Sequence, residues 1–445
     1  MKTVCVIGAG LAGVEAANQI AKRGFRVRLY EMKPKKFSPA HKSGNFAELV
    51  CSNSLKASRL NSSAGLLKHE MRVFGSLCME SADRCSVPAG GALAVDRDLF
   101  SEYITKQIRS NELIEVINEE VTSLPDADAI IIAAGPLASQ GLIDAIKKYT
   151  GDGLSFYDAA APIITRESVD MSCAFSASRY GRGDDDYINC PLNKEEYELF
   201  YNEIINAERA VTHSFDQRKE VYEGCMPIEV LASRGKDTMR YGPLKPVGLT
   251  DPRTGHRPWA NLQLRKENTE GSLLNLVGFQ TNLKFSEQKR VFSIFPALKN
   301  AEFVRYGVMH RNTFIDSPRL LNADFSLREN GKIFFAGQIT GVEGYMESAS
   351  SGIMAGINAC RMLSGEETLV LPGDTMIGAL SRYISDSTVR DFQPMGANFG
   401  ILPALDTKIR DKQERYSALS QRAVKSLEEY LLSMGEKTET VKKYE

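Results

Sequence analysis

The feature that most constrains this chain is its first 31 residues. Val4-Cys5-Val6-Ile7 is a short apolar run, the length of a strand buried on both faces. Gly8-Ala9-Gly10-Leu11-Ala12-Gly13 follows without a spacer. Val14 to Arg23 then carries helix formers with one apolar face (Val14, Ala17, Ile20, Ala21), closed by Gly24. A second strand, Phe25 to Tyr30, ends at Glu31. Strand, G-x-G-x-x-G turn, helix and strand make a βαβ unit with a dinucleotide site. Gly8 allows the tight turn, Gly10 lets a pyrophosphate approach the backbone, and Gly13 lets helix and strand pack closely. The helix start offers free N–H groups and a positive dipole end to phosphates. The whole turn, Gly8, Ala9, Gly10, Leu11, Ala12 and Gly13, is therefore a candidate cofactor site, with Glu31 accepting from ribose hydroxyls.

A chain of 445 residues is too long for one core. Its formal net charge of -1 creates no global attraction for nucleic acid, so an RNA partner needs a local basic surface. No signal-peptide pattern opens the chain and no apolar run is long enough to span a bilayer, which predicts a cytoplasmic protein with no membrane contact. The eight cysteines are scattered, without a C-x-x-C pair, and read as thiols. Cys5 and Cys360 fall on apolar faces and read as core. No Cys/His cluster has zinc spacing, so no metal is expected.

Further along, Met32 to Pro39 is a polar loop with three lysines, either solvated or in contact with phosphate. Cys51 heads a polar stretch able to open a helix, where the dipole would favour a thiolate. Ala57 to Val73 reads as helical, and Asp96-Arg97-Asp98 as an acidic helix start. Ala129-Ile130-Ile131-Ile132-Ala133-Ala134-Gly135 is a buried strand ending at glycine. From about Gly151 the βαβ rhythm gives way to short strands and Pro/Gly-rich loops, read as an inserted domain. There Cys225 sits between Gly224 and Met226-Pro227, on a turn suited to a nucleophile. Arg253, Arg257 and Arg265, interleaved with Trp259 and apolar residues, suit a phosphate-and-stacking surface or an ordinary loop and strand. His310 reads first as a structural hydrogen bonder. Ile333 to Gly337 is a further buried strand, followed by a glycine-rich helix start through Gly341 and Gly344. These strands ending in glycine are similar to those of flavoproteins with two dinucleotide domains. That similarity favours FAD over NAD as the tightly bound nucleotide.

The expected fold is thus α/β: a Rossmann-like FAD-binding domain interrupted by an inserted α+β domain. The expected boundaries are 1–150 (FAD domain, first part), 151–330 (insert) and 331–445 (FAD domain, second part, with C-terminal helices). Taken together, four motifs resemble the TrmFO family, the folate- and FAD-dependent tRNA (uracil-54-C5)-methyltransferases. They are 8–13 with Glu31, Ala47-Glu48-Leu49-Val50-Cys51-Ser52-Asn53-Ser54, Glu223-Gly224-Cys225-Met226-Pro227, and 337–348 with Gly337, Gly341 and Gly344. The resemblance covers essentially the whole chain. It implies 5-methyluridine formation at position 54 of the tRNA T-loop, with 5,10-methylenetetrahydrofolate as carbon donor. FAD reduced by NAD(P)H would serve as methylene carrier and hydride source. It makes Cys51 and Cys225 the catalytic pair. Cys225 would add to uracil C6 and Cys51 would guard the methylene or take the C5 proton; the reverse assignment stays open. His310 and Glu343 become candidates for folate contact, and Arg253, Arg257 and Arg265 for RNA contact. The protein is expected as a monomer or homodimer. Alternatives are the same chemistry on a ribosomal RNA uridine, or a wobble-uridine flavoprotein of the GidA/MnmG type, which is longer with an additional C-terminal helical region.

Overall fold

The computed structural model describes residues 2–151, 154–159, 161–181, 186–210, 226–267, 271–307, 309–389 and 392–436, without side chains at 154–159 and 309–312. Cys225, the side chain of His310 and the tail from 437 lie outside the described residues.

The opening βαβ unit forms as its residues require. Strand Thr3–Ile7 pairs in parallel with Arg26–Tyr30, Val4 opposite Val27, and helix Leu11–Lys22 lies between them in the chain. A Cβ on Gly13 would lie 1.7 Å from the Gly8 carbonyl oxygen, so only glycine permits this approach of helix to strand. The sheet has six strands, in the order Ser326–Leu327, Asn330–Phe335, Ala129–Ile132, Thr3–Ile7, Arg26–Tyr30 and Ile114–Ile117. All neighbours are parallel except the first pair. Val4, Cys5 and Val6 are fully buried, as a central strand covered on both faces demands. Helix Tyr345–Ser364 packs directly on Leu11–Lys22. A Cβ on Gly352 would sit 2.1 Å from the Ala12 carbonyl oxygen, and one on Gly356 2.8 Å from that of Ala16. Two glycines one turn apart thus let the helix backbones touch.

The segment read as one helix from Ala57 to Val73 divides. Ser54–Ala57 is a strand paired with Ala92–Val95, and only Ser63–Val73 is helical. Gly65 explains the late start. The place of its missing side chain is filled by the Arg59 carbonyl at 1.8 Å, so the chain folds back over the first turn before Ser62 caps it.

A second six-stranded sheet is antiparallel: Phe175–Ser176, Tyr187–Leu192, Ala260–Lys266, Leu273–Leu276, Ile163–Thr165, Phe303–Arg305. Its core is separate and aromatic. Phe279 meets Phe200, Phe292 and Phe295 with ring centroids 5.1 to 5.9 Å apart. The chain leaves the first sheet along Leu154–Ala159 and returns along Met309–Phe314, and these two strands pair antiparallel. Late helices Met376–Tyr383 and Lys412–Ser433 are capped by Thr375 and Asp411. Among the described residues no helix is long and apolar enough to cross a membrane.

Candidate cofactor and active site

A cavity of about 430 Å³ runs from residues 8–12 and Glu31 to Gly337, Gln338 and 343–348. Two helices begin on it, Leu11–Lys22 after Gly10 and Tyr345–Ser364 after Gly344, and neither has a side-chain cap. Elsewhere Ser62, Ser76, Asp96, Ser139, Asn193, Thr375 and Asp411 cap helix starts, while Phe285–Phe292 and three shorter helices away from the cavity lack a side-chain cap too. The two bare starts leave orphan N–H groups and positive dipole ends facing one space, as an anionic pyrophosphate and a ring that gains electrons require. A Cβ on Gly10 would meet nothing within 4 Å, so the turn is open to a ligand. Each Glu31 carboxylate oxygen accepts one backbone N–H, from Ala9 at 2.8 Å and Lys33 at 3.0 Å. One lone pair per oxygen remains for a ribose hydroxyl. These residues fit FAD.

Some candidates stand behind the cavity rather than on it. Gly13 packs on Gly8, and the place of a Cβ on Gly341 is taken by the Phe392 ring at 2.4 Å. Both shape the wall without touching the space. Of the loop lysines, Lys33 is buried with its ammonium on the Ser43 and Asn45 carbonyls, while Lys35 and Lys36 pair with Glu119 and Glu120. Glu343 lines the cavity and accepts from the Gln338 amide at 2.6 Å.

Cys51 also lines the cavity, but no helix starts there. The next element is strand Ser54–Ala57, so the expected helix dipole is absent. Its surroundings supply other means. The Tyr345 oxygen accepts the N–H groups of Cys51 (2.7 Å) and Ser52 (3.2 Å), and lies 3.0 Å from Cys51 Sγ. With both lone pairs taken, its O–H points to sulfur as a donor. Burial, and then the nearby Cys51, push the Tyr345 phenol well above its usual range, so it keeps that proton. Arg97 donates to the carbonyls of Leu49 and Val50 and pairs with buried Glu267, 2.5 Å from Arg97 Nε. Burial opposes the Arg97 charge and Glu267 outweighs it. Arg97 therefore stays a cation, tied to the two carbonyls that precede Cys51. Asp96-Arg97-Asp98 reads in sequence only as a helix start, and nothing in its spacing points to Cys51.

The arginines separate. Arg265 is 6% exposed and donates to Asn53 Oδ1 and Ser52 Oγ, so it braces the Cys51 loop and is not a surface phosphate contact. Arg253 is held by Asp251 and the Ser172 carbonyl. Arg257 is exposed. Trp259 is part-exposed, with the Arg240 guanidinium 3.9 Å from its ring centroid. Gln280, between two buried neighbours, lines the cavity from the second sheet's side. No pattern singles it out in sequence. Among the described residues no group of three or more His, Cys, Asp or Glu could hold a metal ion.

Comparison with known proteins gives concordant findings. The family model "Glucose inhibited division protein A" matches residues 3–367. The chain is 61% identical to Methylenetetrahydrofolate--tRNA-(uracil-5-)-methyltransferase TrmFO of Acetivibrio thermocellus, over 96% of this chain and 98% of that one. It is 57% identical to the protein of that name from Pelotomaculum thermopropionicum (96% and 98%) and 56% to that of Desulfitobacterium hafniense (98% and 100%). In fold it is similar to Aquifex aeolicus GidA in two crystal forms. The TM-scores are 0.69 and 0.70 at 16% identity, covering 96% of this chain and 73% and 76% of those.

Proposed function

Because the chain belongs to the TrmFO family, within the wider GidA group, we propose that it methylates C5 of uridine 54 in the tRNA T-loop. 5,10-Methylenetetrahydrofolate gives the carbon and NAD(P)H the electrons. FAD, held by 8–12, Glu31 and 344–348, supplies methylene transfer and hydride delivery when bound. The chain's own task is to make uracil C5 nucleophilic. A cysteine thiolate adds to C6, the C5–C6 π electrons move toward O4, and C5 becomes an enolate carbon. Cys225 performs this addition. Cys51 takes the C5 proton, its sulfur oriented by the Tyr345 O–H and its loop held by Arg97. The target base is turned out of the tRNA elbow to reach the site. Arg257 contributes to phosphate contact, and His310 and Glu343 to folate contact. The enzyme works in the cytoplasm as a monomer or homodimer.

The observation that supports this reading best is that Cys51 borders the same cavity as the two bare helix starts. A second supports the part given to Cys225. The Ile228 N–H donates to the Gln280 carbonyl at 2.8 Å, and Gln280 borders the cavity. Cys225 precedes Ile228 by three residues, a tether of at most about 11 Å.

The test is covalent trapping on T-arm RNA carrying 5-fluorouridine at the target. Cys225→Ala should abolish the adduct and Cys51→Ala should retain it. The opposite pattern exchanges the two roles. Nucleoside mass spectrometry of tRNA from a deletion strain should show loss of 5-methyluridine; unchanged tRNA would refute the substrate.

A further inference from the structure

The backbone that carries Gln280 to the cavity edge is held firmly on both sides. Phe279 before it is fully buried in the second aromatic core, against Phe200, Phe292 and Phe295. Thr281 after it is fully buried and donates through Oγ1 to Glu229 at 2.9 Å, while the Asn282 N–H donates to the same carboxylate at 2.8 Å. The Gln280 carbonyl itself accepts from Ile228. Residues 279–282 are thus pinned to 228–229, and Gln280 lines the cavity that Cys51 also lines.

An amide offers one N–H donor direction and one carbonyl acceptor side by side. A uracil presents the complement, the O4 acceptor beside the N3–H donor. Cytosine presents the reverse order, an N4 donor beside the N3 acceptor, which meets this amide only when it is turned over, and N3 methylation removes the donor.

We infer that Gln280 is the residue that reads the target base: its Nε2–H donates to uracil O4 and its Oε1 accepts from N3–H. This rests on the methyltransferase reading above. The same contact serves the chemistry. When a thiolate forms the C6–S bond, the C5–C6 π pair moves through C4 and negative charge collects on O4. The Gln280 N–H then faces a developing oxyanion and strengthens as the charge grows. Placing a donor on a rigid segment means little reorganisation accompanies the step.

The test uses FAD-loaded enzyme and T-arm RNA with 5-fluorouridine, or an abasic residue, at the target. Gln280→Leu removes both hydrogen bonds, and Gln280→Glu keeps the size but loses the donor. Both should slow adduct formation by about 10²–10³-fold, the loss usual for one oxyanion donor. Affinity for the abasic RNA, the flavin absorption spectrum and FAD affinity should stay at wild-type values. Wild-type trapping rates in Gln280→Leu would overturn the assignment. So would a loss of FAD affinity in both variants, which would make Gln280 a flavin contact instead. If the wild-type enzyme itself forms no adduct and no 5-methyluridine, the methyltransferase reading has failed rather than the role of Gln280.

Discussion

Single side chains here divide between touching the cavity and holding what touches it. Arg265 belongs to the second kind. Its guanidinium is committed to Ser52 and Asn53, the two residues after Cys51. Arg265→Ala should leave the salt dependence of tRNA binding unchanged and destabilise the protein by about 1–3 kcal/mol, the cost of buried acceptors left unmade. Urea unfolding and a salt titration check the two halves separately. Arg257→Ala should instead lower the slope of log K against log salt by about one unit without changing stability. Sequence showed both arginines as equals. Arg265 lies on a strand where alternation decides which side chains go inward, and that register depends on partners far away in the chain. Cys51 is a similar case. Its motif was legible, but Tyr345, which contacts its sulfur, and Arg97, which holds the carbonyls before it, are distant in sequence and meet its loop only through tertiary structure.

At the scale of elements, what was legible was local. The glycine turn, the first helix and the strands before Gly135 and Gly337 follow from short-range patterns, so their positions could be read directly. The break at Ser54–Ala57 could not, because the partner that makes it a strand is Ala92–Val95. Nor could the cap that Glu70 provides. This buried carboxylate accepts the N–H groups of Met376 and Ile377, at the head of a helix 306 positions later. Burial pushes the Glu70 carboxyl up to about 8, against the pull of those two hydrogen bonds. The folded chain therefore holds a proton that the unfolded chain releases near pH 4.5. Its contribution is complete below that pH and is lost as pH rises through about 8. Glu70→Gln keeps an acceptor and cannot ionise. Its Tm should fall less than that of the wild type between about pH 5 and 8, and identical slopes would show that Glu70 does not titrate there. The helix pair is as sensitive. Gly352→Ala would put a methyl group 2.1 Å from the Ala12 carbonyl oxygen. Forcing the helices apart should cost about 1–3 kcal/mol and release FAD, read from the flavin spectrum after gel filtration.

Across the whole molecule, the two sheets with their separate cores are joined at the Cys51 loop. Arg97 pairs with Glu267, the Asn53 amide donates to the Lys266 carbonyl at 2.7 Å, and Tyr187 Oη donates to the Ala89 carbonyl at 3.0 Å. Glu267→Gln leaves the Arg97 charge buried without its counter-ion. It should cost about 3–5 kcal/mol, seen as a lower urea midpoint. The division into a nucleotide-binding part and an inserted part could be expected from the change in texture near Gly151. The joint between them could not, since its members come from separate stretches of the chain. The central sheet carries a further consequence. Thr3–Ile7 lies beside Ala129–Ile132, and that strand lies in turn beside Asn330–Phe335. On the ribosome the opening turn emerges roughly three hundred residues before the last of these strands is made. The nascent chain must therefore wait with its flavin pocket half built, and prosthetic-group loading belongs to the end of translation, not to its beginning.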